Sequence, residues 1–125
     1  MKDRAQSVLP FKVEATEDRL TGNAGLALFG EFLRGVGLQR WLAAEMPKPG
    51  SARGYPANAY VTPLVLMLTA GGRSLEDLRT LRDDAALGRV LEQDVWPSTD
   101  AVGDWLRRTG AGAGLEGLDR INRRV

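Results

Sequence analysis

Arginines and carboxylates are the side chains of this sequence that cluster in patterns able to do chemistry. Eight of the arginines fall into three groups: Arg73, Arg79 and Arg82; Arg107 and Arg108; and Arg120, Arg123 and Arg124. On helix faces such residues can hold a phosphodiester backbone, and Ser98 and Thr99, just upstream of the second group, can bond a phosphate or a base edge. The carboxylates gather as Glu76-Asp77, Asp83-Asp84 and the pair Asp100 and Asp104. A two-metal acidic site needs partners on facing elements, and none are evident. The first two groups instead fall at predicted helix N-termini, where negative charge offsets the helix dipole. Asp104 lies four residues before Arg108, the spacing of an ordinary surface ion pair. No catalytic residue and no metal ligand is therefore expected here.

What is missing narrows the chemistry further. With no Cys there is no disulfide framework or thiolate zinc site, and with no His there is no imidazole base and no Ser-His-Asp triad. Lys and Arg total 17 against 16 Asp and Glu, a net charge of +1. A small autonomous nucleic-acid-binding domain usually carries bulk positive charge, so any DNA contact here must come from local patches. A chain of 125 residues, 43% hydrophobic and 26% charged, reads as one globular domain able to bury a core unaided. The longest apolar run, residues 61–70, is too short to span a membrane, and the N-terminus lacks the apolar region of a signal peptide. A cytoplasmic protein with no membrane partner is expected.

The elements that must position these side chains are mostly helices. Residues 1–10 read as a flexible polar tail. Phe11-Lys12-Val13-Glu14-Ala15 alternates apolar and charged residues, the pattern of a short half-exposed strand. A lone strand leaves three options: pairing with a partner chain, packing as an extended arm, or joining a sheet outside this sequence. After Thr21-Gly22-Asn23 the period changes. Leu26, Phe29, Leu33 and Val36 predict an amphipathic helix over 24–35, and Gly37 ends it. A second, shorter helix is expected over 38–46, followed by the break Pro47-Lys48-Pro49-Gly50-Ser51.

Pro56 suits the first turn of a third helix running to about Ala70, with Pro63 either kinking it or starting its main part. Leu64 to Leu68 is apolar on all sides, as in a central buried helix, and Gly71-Gly72 terminates it. Ser74 with Asp77 resembles a capping box opening a fourth helix, with Leu75, Leu78 and Leu81 inside and Arg79 and Arg82 outside. Asp83-Asp84 caps a fifth helix over 85–91, with Leu87, Val90 and Leu91 inward. Ser98-Thr99 opens a sixth over 99–109, with Val102, Trp105 and Leu106 inward. Gly110 to Gly114 alternates Gly and Ala as a hinge does; it follows a helix and precedes no Gly-Lys-Ser/Thr, so it is not a phosphate loop. Leu115, Leu118, Ile121 and Val125 mark a last helix, with Glu116–Arg120 and Asp119–Arg123 pairs and Arg124 unpaired.

The expected fold is thus a compact, mostly α domain of about six or seven helices with a short N-terminal strand or arm. Its division is a tail at 1–10, a helical domain at 11–109, and a hinge with a linker helix at 110–125. Helices four to six allow a helix-turn-helix-like unit whose last helix enters the major groove. Against this, Asp100 and Asp104 share that helix's outer surface, and three-helix packing is common without DNA. The last helix is either a solvated face of paired charges or a basic helix tracking a DNA backbone.

Several stretches resemble the N-terminal region of DDE-type transposases of bacterial insertion sequences, the group 1 branch. They are Leu20-Thr21 through Gly25-Leu26-Ala27-Leu28, with Glu31-Phe32-Leu33 and Gly37-Leu38; Gly54-Tyr55 through Tyr60-Val61-Thr62-Pro63 to Leu68; Gly71-Gly72-Arg73-Ser74-Leu75-Glu76-Asp77-Leu78-Arg79; Pro97-Ser98 through Val102-Gly103-Asp104-Trp105-Leu106-Arg107-Arg108; and Gly114-Leu115-Glu116-Gly117-Leu118 with Asn122-Arg123-Arg124. The block from Gly71 to Arg79 and the Trp-Leu-Arg-Arg block are the most specific. The resemblance implies a protein that binds the inverted-repeat DNA ends of its element. Its chemistry would reside in an RNase H-like domain, where three carboxylates hold Mg²⁺, and that domain follows the region matched here. No catalytic residue or cofactor is thus carried over to this segment, which alone is not expected to cut DNA. The implied partners are double-stranded DNA, the protein's own catalytic domain and a possible second copy. An alternative role is an assembly module that dimerises the protein or covers its catalytic core without reading bases.

Overall fold

The structure, a computed structural model, describes residues 15–18, 20–49, 54–93 and 96–125. Within them the chain forms α1 (Gly25–Gly35), α2 (Leu38–Glu45), α3 (Ala57–Thr69), α4 (Leu78–Arg82), α5 (Ala85–Val90), α6 (Thr99–Thr109) and α7 (Ala113–Arg124), with a 3-10 turn at Leu75–Asp77 leading into α4. The described residues are mostly helical and contain no strand. The expected tail over 1–10 and, apart from Ala15, the expected strand over 11–15 lie outside them.

α3 is the central element because its apolar residues are not confined to one stripe. Ala57, Tyr60, Val61, Leu66 and Met67 are buried, and the Pro63 ring is fully enclosed. The helix runs through Pro63, which lacks an N–H and so forgoes the bond to the Ala59 carbonyl. The expectation that residues 64–68 are buried on all sides needs correction. Leu64 and Val65 are half-buried and Leu68 is exposed, so one side of α3 meets solvent. Gly71, at φ +92°, ends the helix. The Gly71 and Gly72 amides turn back onto the Leu68 and Met67 carbonyls, a Schellman closure that favours glycine.

The other helices wrap this centre, and their ends are set by short polar side chains. The Asp77 carboxylate accepts hydrogen bonds from the Arg73 and Ser74 amides at 2.7 and 3.0 Å, completing the capping box. Those backbone bonds, Arg73 first, hold its carboxyl below its ordinary value. Asp84 caps α5 by accepting from the Leu87 amide at 3.0 Å. Its other oxygen accepts from the Thr21 hydroxyl and the Asn23 side-chain amide, which tethers residues 21–23, just ahead of α1, to α5. Ser98 caps α6 by accepting from the Ala101 amide at 3.1 Å.

Leu26, Leu42, Leu78, Leu81, Leu87, Val102, Trp105 and Ile121 complete the core. Four inward assignments made from periodicity are corrected. Val90 on α5, Leu106 on α6 and Leu115 on α7 are exposed, as is Val125. On α7 the contact stripe is Gly114, Gly117, Leu118 and Ile121 instead. A Cβ at Gly117 would stand 2.5 Å from the Glu45 carbonyl oxygen, so α7 lies backbone-close against α2. A leucine-based stripe misses this contact because glycine carries no hydrophobic signal.

Candidate nucleic-acid interface

The 3-10 turn and α6 meet at one corner of the fold. A Cβ at Gly103 would lie 3.5 Å from Leu75 Cδ1 and 3.8 Å from both terminal guanidinium nitrogens of Arg107. Gly103 thus admits Leu75 on one side while the Arg107 side chain folds back over the same seam. Arg107 is ion-paired there with Asp104. The expected pair was Asp104 with Arg108, and this is corrected: the carboxylate takes the residue three positions on, leaving the exposed Arg108 with no ion pair among the described residues. Arg79 is paired with Glu76 at 3.2 Å. Arg73 donates its amide to Asp77, and its exposed guanidinium has no partner among the described residues. Arg82, at the end of α4, is likewise exposed and unpaired among them. The free guanidinium groups of the candidate set are therefore Arg73, Arg82 and Arg108.

Ser98 and Thr99 sit at the N-terminus of α6, as expected from sequence. The Ser98 hydroxyl is occupied as acceptor by its own helix, and Thr99 is half-buried. Asp100 and Asp104 are exposed on the same helix and lower the positive potential around it.

The arginines of α7 are arranged differently. Arg123 pairs with Asp119 at 2.8 Å, as its spacing predicts. Arg120 turns away from Glu116 and donates from Nε to Glu45 Oε2 at 2.6 Å, with a second bond to the Glu45 carbonyl at 3.3 Å. Arg124 is not unpaired: its Nε lies 3.7 Å from Glu45 Oε1, and its guanidinium covers the Trp41 ring at 4.7 Å. Arg40 also covers Trp41, at 5.0 Å. Sequence reasoning missed Glu45 altogether and placed Trp41 only on the stripe of the second helix. Arg120 lies 75 residues from Glu45, and no local spacing signals such a pair.

Two further features lie outside this set. Arg34 joins α1 to the end of α5, donating to the Leu91 carbonyl at 3.0 Å and pairing with Glu31 and Glu92. A cavity of about 350 Å³ opens between α1, the start of α3 and the end of α5, lined by Leu33, Leu38, Leu66 and Val90 beside Asn58 and Thr62. Asn58 and Thr62 are bonded to each other at 2.7 Å. Among the described residues no three carboxylates gather as a metal site, and no helix is long and apolar enough to cross a membrane. No family model, no curated protein and no solved structure matches this chain.

Proposed function

We propose that this chain is the N-terminal helical domain of a DDE-type transposase, and that it contacts the inverted-repeat DNA ends of its insertion sequence through the corner formed by the 3-10 turn, α4 and α6. One observation carries this reading. The Gly71 to Arg79 block meets the Pro97 to Arg108 stretch of the resemblance where Leu75 packs on Gly103. The elements that meet there carry the exposed Arg73, Arg82 and Arg108, which have no ion pair among the described residues. These groups suit phosphate contacts, which position a protein on a duplex without reading its sequence. Strand cleavage and joining belong, in this reading, to a separate Mg²⁺-dependent domain, and no residue here takes a catalytic role.

The test is binding of a duplex carrying the element's inverted repeat, followed by fluorescence anisotropy across a salt series. Arg73→Ala with Arg108→Ala should weaken binding and reduce the salt slope by about 2, one phosphate contact per arginine. Arg107→Ala should do less, since Asp104 already neutralises that guanidinium. Absent or salt-insensitive binding would overturn the reading.

A second reading, assembly with another copy, has its own supporting observation. The outward side of α1 is apolar: Leu28 is 78% and Phe32 58% exposed, flanked by Gly25 and Gly35, which have open space beside them. Glu31 is the charged residue on that side, and it is paired with Arg34. Light scattering with and without the duplex separates the readings. A dimer that ignores DNA and is split by Leu28→Glu would favour assembly.

A further inference from the structure

The docking of α7 on α2 sets one carboxylate against two arginines. Along α7, Ile121 is buried and Leu118 half-buried, whereas Gly114 and Gly117 contribute no side chain and Leu115 is exposed. Apolar side-chain burial along α7 is thus confined to Ile121 and Leu118. Glu45, at the C-terminus of α2, supplies what the apolar contact does not. Its side chain is 16% exposed, and it offers one oxygen to Arg120 and the other to Arg124. Arg120 also reaches the Glu45 carbonyl, so both arginines lie at the negative end of the α2 dipole. A group with oxygens shared between two guanidiniums is what a phosphodiester also presents. Preceding α7, Gly110, Ala111 and Gly112 are exposed, and Gly112 sits at φ +115°, a conformation open to glycine.

We infer that Glu45 acts as an internal stand-in for phosphate, occupying and neutralising the half-exposed Arg120 and Arg124, a second polyanion-binding pair that is released when α7 pivots at Gly110–Gly112. Its ligand class rests on the DNA reading above; its geometry does not. A phosphodiester backbone replaces the carboxylate, and α7 follows its arginines. The pair is silent while Glu45 holds it.

The experiment uses the whole chain and a plain duplex without the inverted repeat, because phosphate contacts carry no sequence. Glu45→Gln should bind it about tenfold more tightly at low salt, with a salt slope steeper by about 2. Glu116→Gln, which removes the same charge from an α7 residue outside the cluster, should give a much smaller gain. Adding Arg120→Gln and Arg124→Gln to Glu45→Gln should abolish the gain. A Glu45→Gln gain no larger than that of Glu116→Gln, or one that survives loss of both arginines, overturns the inference. Hydrogen exchange on the unmutated chain guards against a variant that does not fold. At about 1 M salt, where screening reaches about 3 Å, α7 amides should exchange faster relative to those of α3. Equal acceleration of both helices overturns the inference as well. If Arg73→Ala with Arg108→Ala leaves binding intact while the Glu45→Gln gain persists, the corner reading fails and the closed pair stands.

Discussion

The rings of Tyr60 and Trp105 lie parallel, with centroids 5.0 Å apart and planes within 9°, joining the central helix α3 to α6. Both side chains are buried, and Tyr55 meets Tyr60 edge-on from the other side. α6 carries Arg107 and Arg108 of the candidate interface, and its position depends on this stack together with the Leu75–Gly103 seam. Trp105→Ala should destabilise the domain by about 3–5 kcal/mol, the usual cost of deleting a large buried aromatic. Trp105→Phe, which keeps a ring, should cost markedly less. Urea denaturation followed by circular dichroism reads both; a loss below about 1 kcal/mol for the alanine variant would show that the stack does not hold α6.

Asp84 gives the domain an acid-sensitive tether. Partial burial raises its carboxyl, but hydrogen bonds from Thr21, the Leu87 amide and Asn23 outweigh that and hold it below its ordinary value. A carboxyl lowered on folding contributes stability above its unfolded value, about 3.9, and loses that contribution as pH falls through the folded value. Melting temperature should therefore hold steady above about pH 5 and fall below about pH 4, more gently in Asp84→Asn. Thr21→Val should raise the Asp84 titration midpoint by NMR. An unchanged midpoint would remove Thr21 from the tether.

Glycines with and without room should respond in opposite senses. Gly117→Leu drives a side chain into the Glu45 carbonyl and should cost at least about 1–3 kcal/mol, with exchange protection lost first in α7. Gly25 and Gly35 lie in α1 with nothing within 4 Å of an added Cβ. Alanine at either site should leave stability unchanged or raise it by about 0.5–1 kcal/mol. Thermal melts of the three variants, ranked in any other order, would contradict the backbone-close contact of α7.

Arg34 should matter through a carbonyl rather than through its ion pairs. Arg34→Ala removes the bond to the Leu91 carbonyl and should destabilise by about 1 kcal/mol. Glu92→Ala removes an exposed partner 3.7 Å away and should stay within about 0.5 kcal/mol. Similar losses from the two variants would assign the effect to charge.

Much of the helical layout was legible because its signals are local. The Ser98 cap and the bounds of α6 follow from a polar residue ahead of a periodic run, and Asp77 and Asp84 act at the helix starts their positions suggest. Val90, Leu106 and Leu115 lie on the solvent-facing edges of their helices, which periodicity alone does not separate from the buried stripe. Within the candidate interface, Arg79 and Arg123 pair at the short helical spacings a sequence shows, whereas Arg107 rather than Arg108 takes Asp104 through a rotamer choice. Glu45 was invisible because its role depends on α7 returning to α2, a tertiary fact with no local trace.

The approach of Gly117 to Glu45 also constrains how this chain can change by descent. The obstacle to a side chain at 117 is a main-chain carbonyl, which every residue type at 45 would carry equally. No substitution at 45 can act as a suppressor of a larger residue at 117, although substitution at 117 can undo whatever 45 contributes. The dependence runs one way. Position 117 should therefore stay fixed across descendants of this fold without covarying with its contact, while 45 remains free to exchange along with 120 and 124.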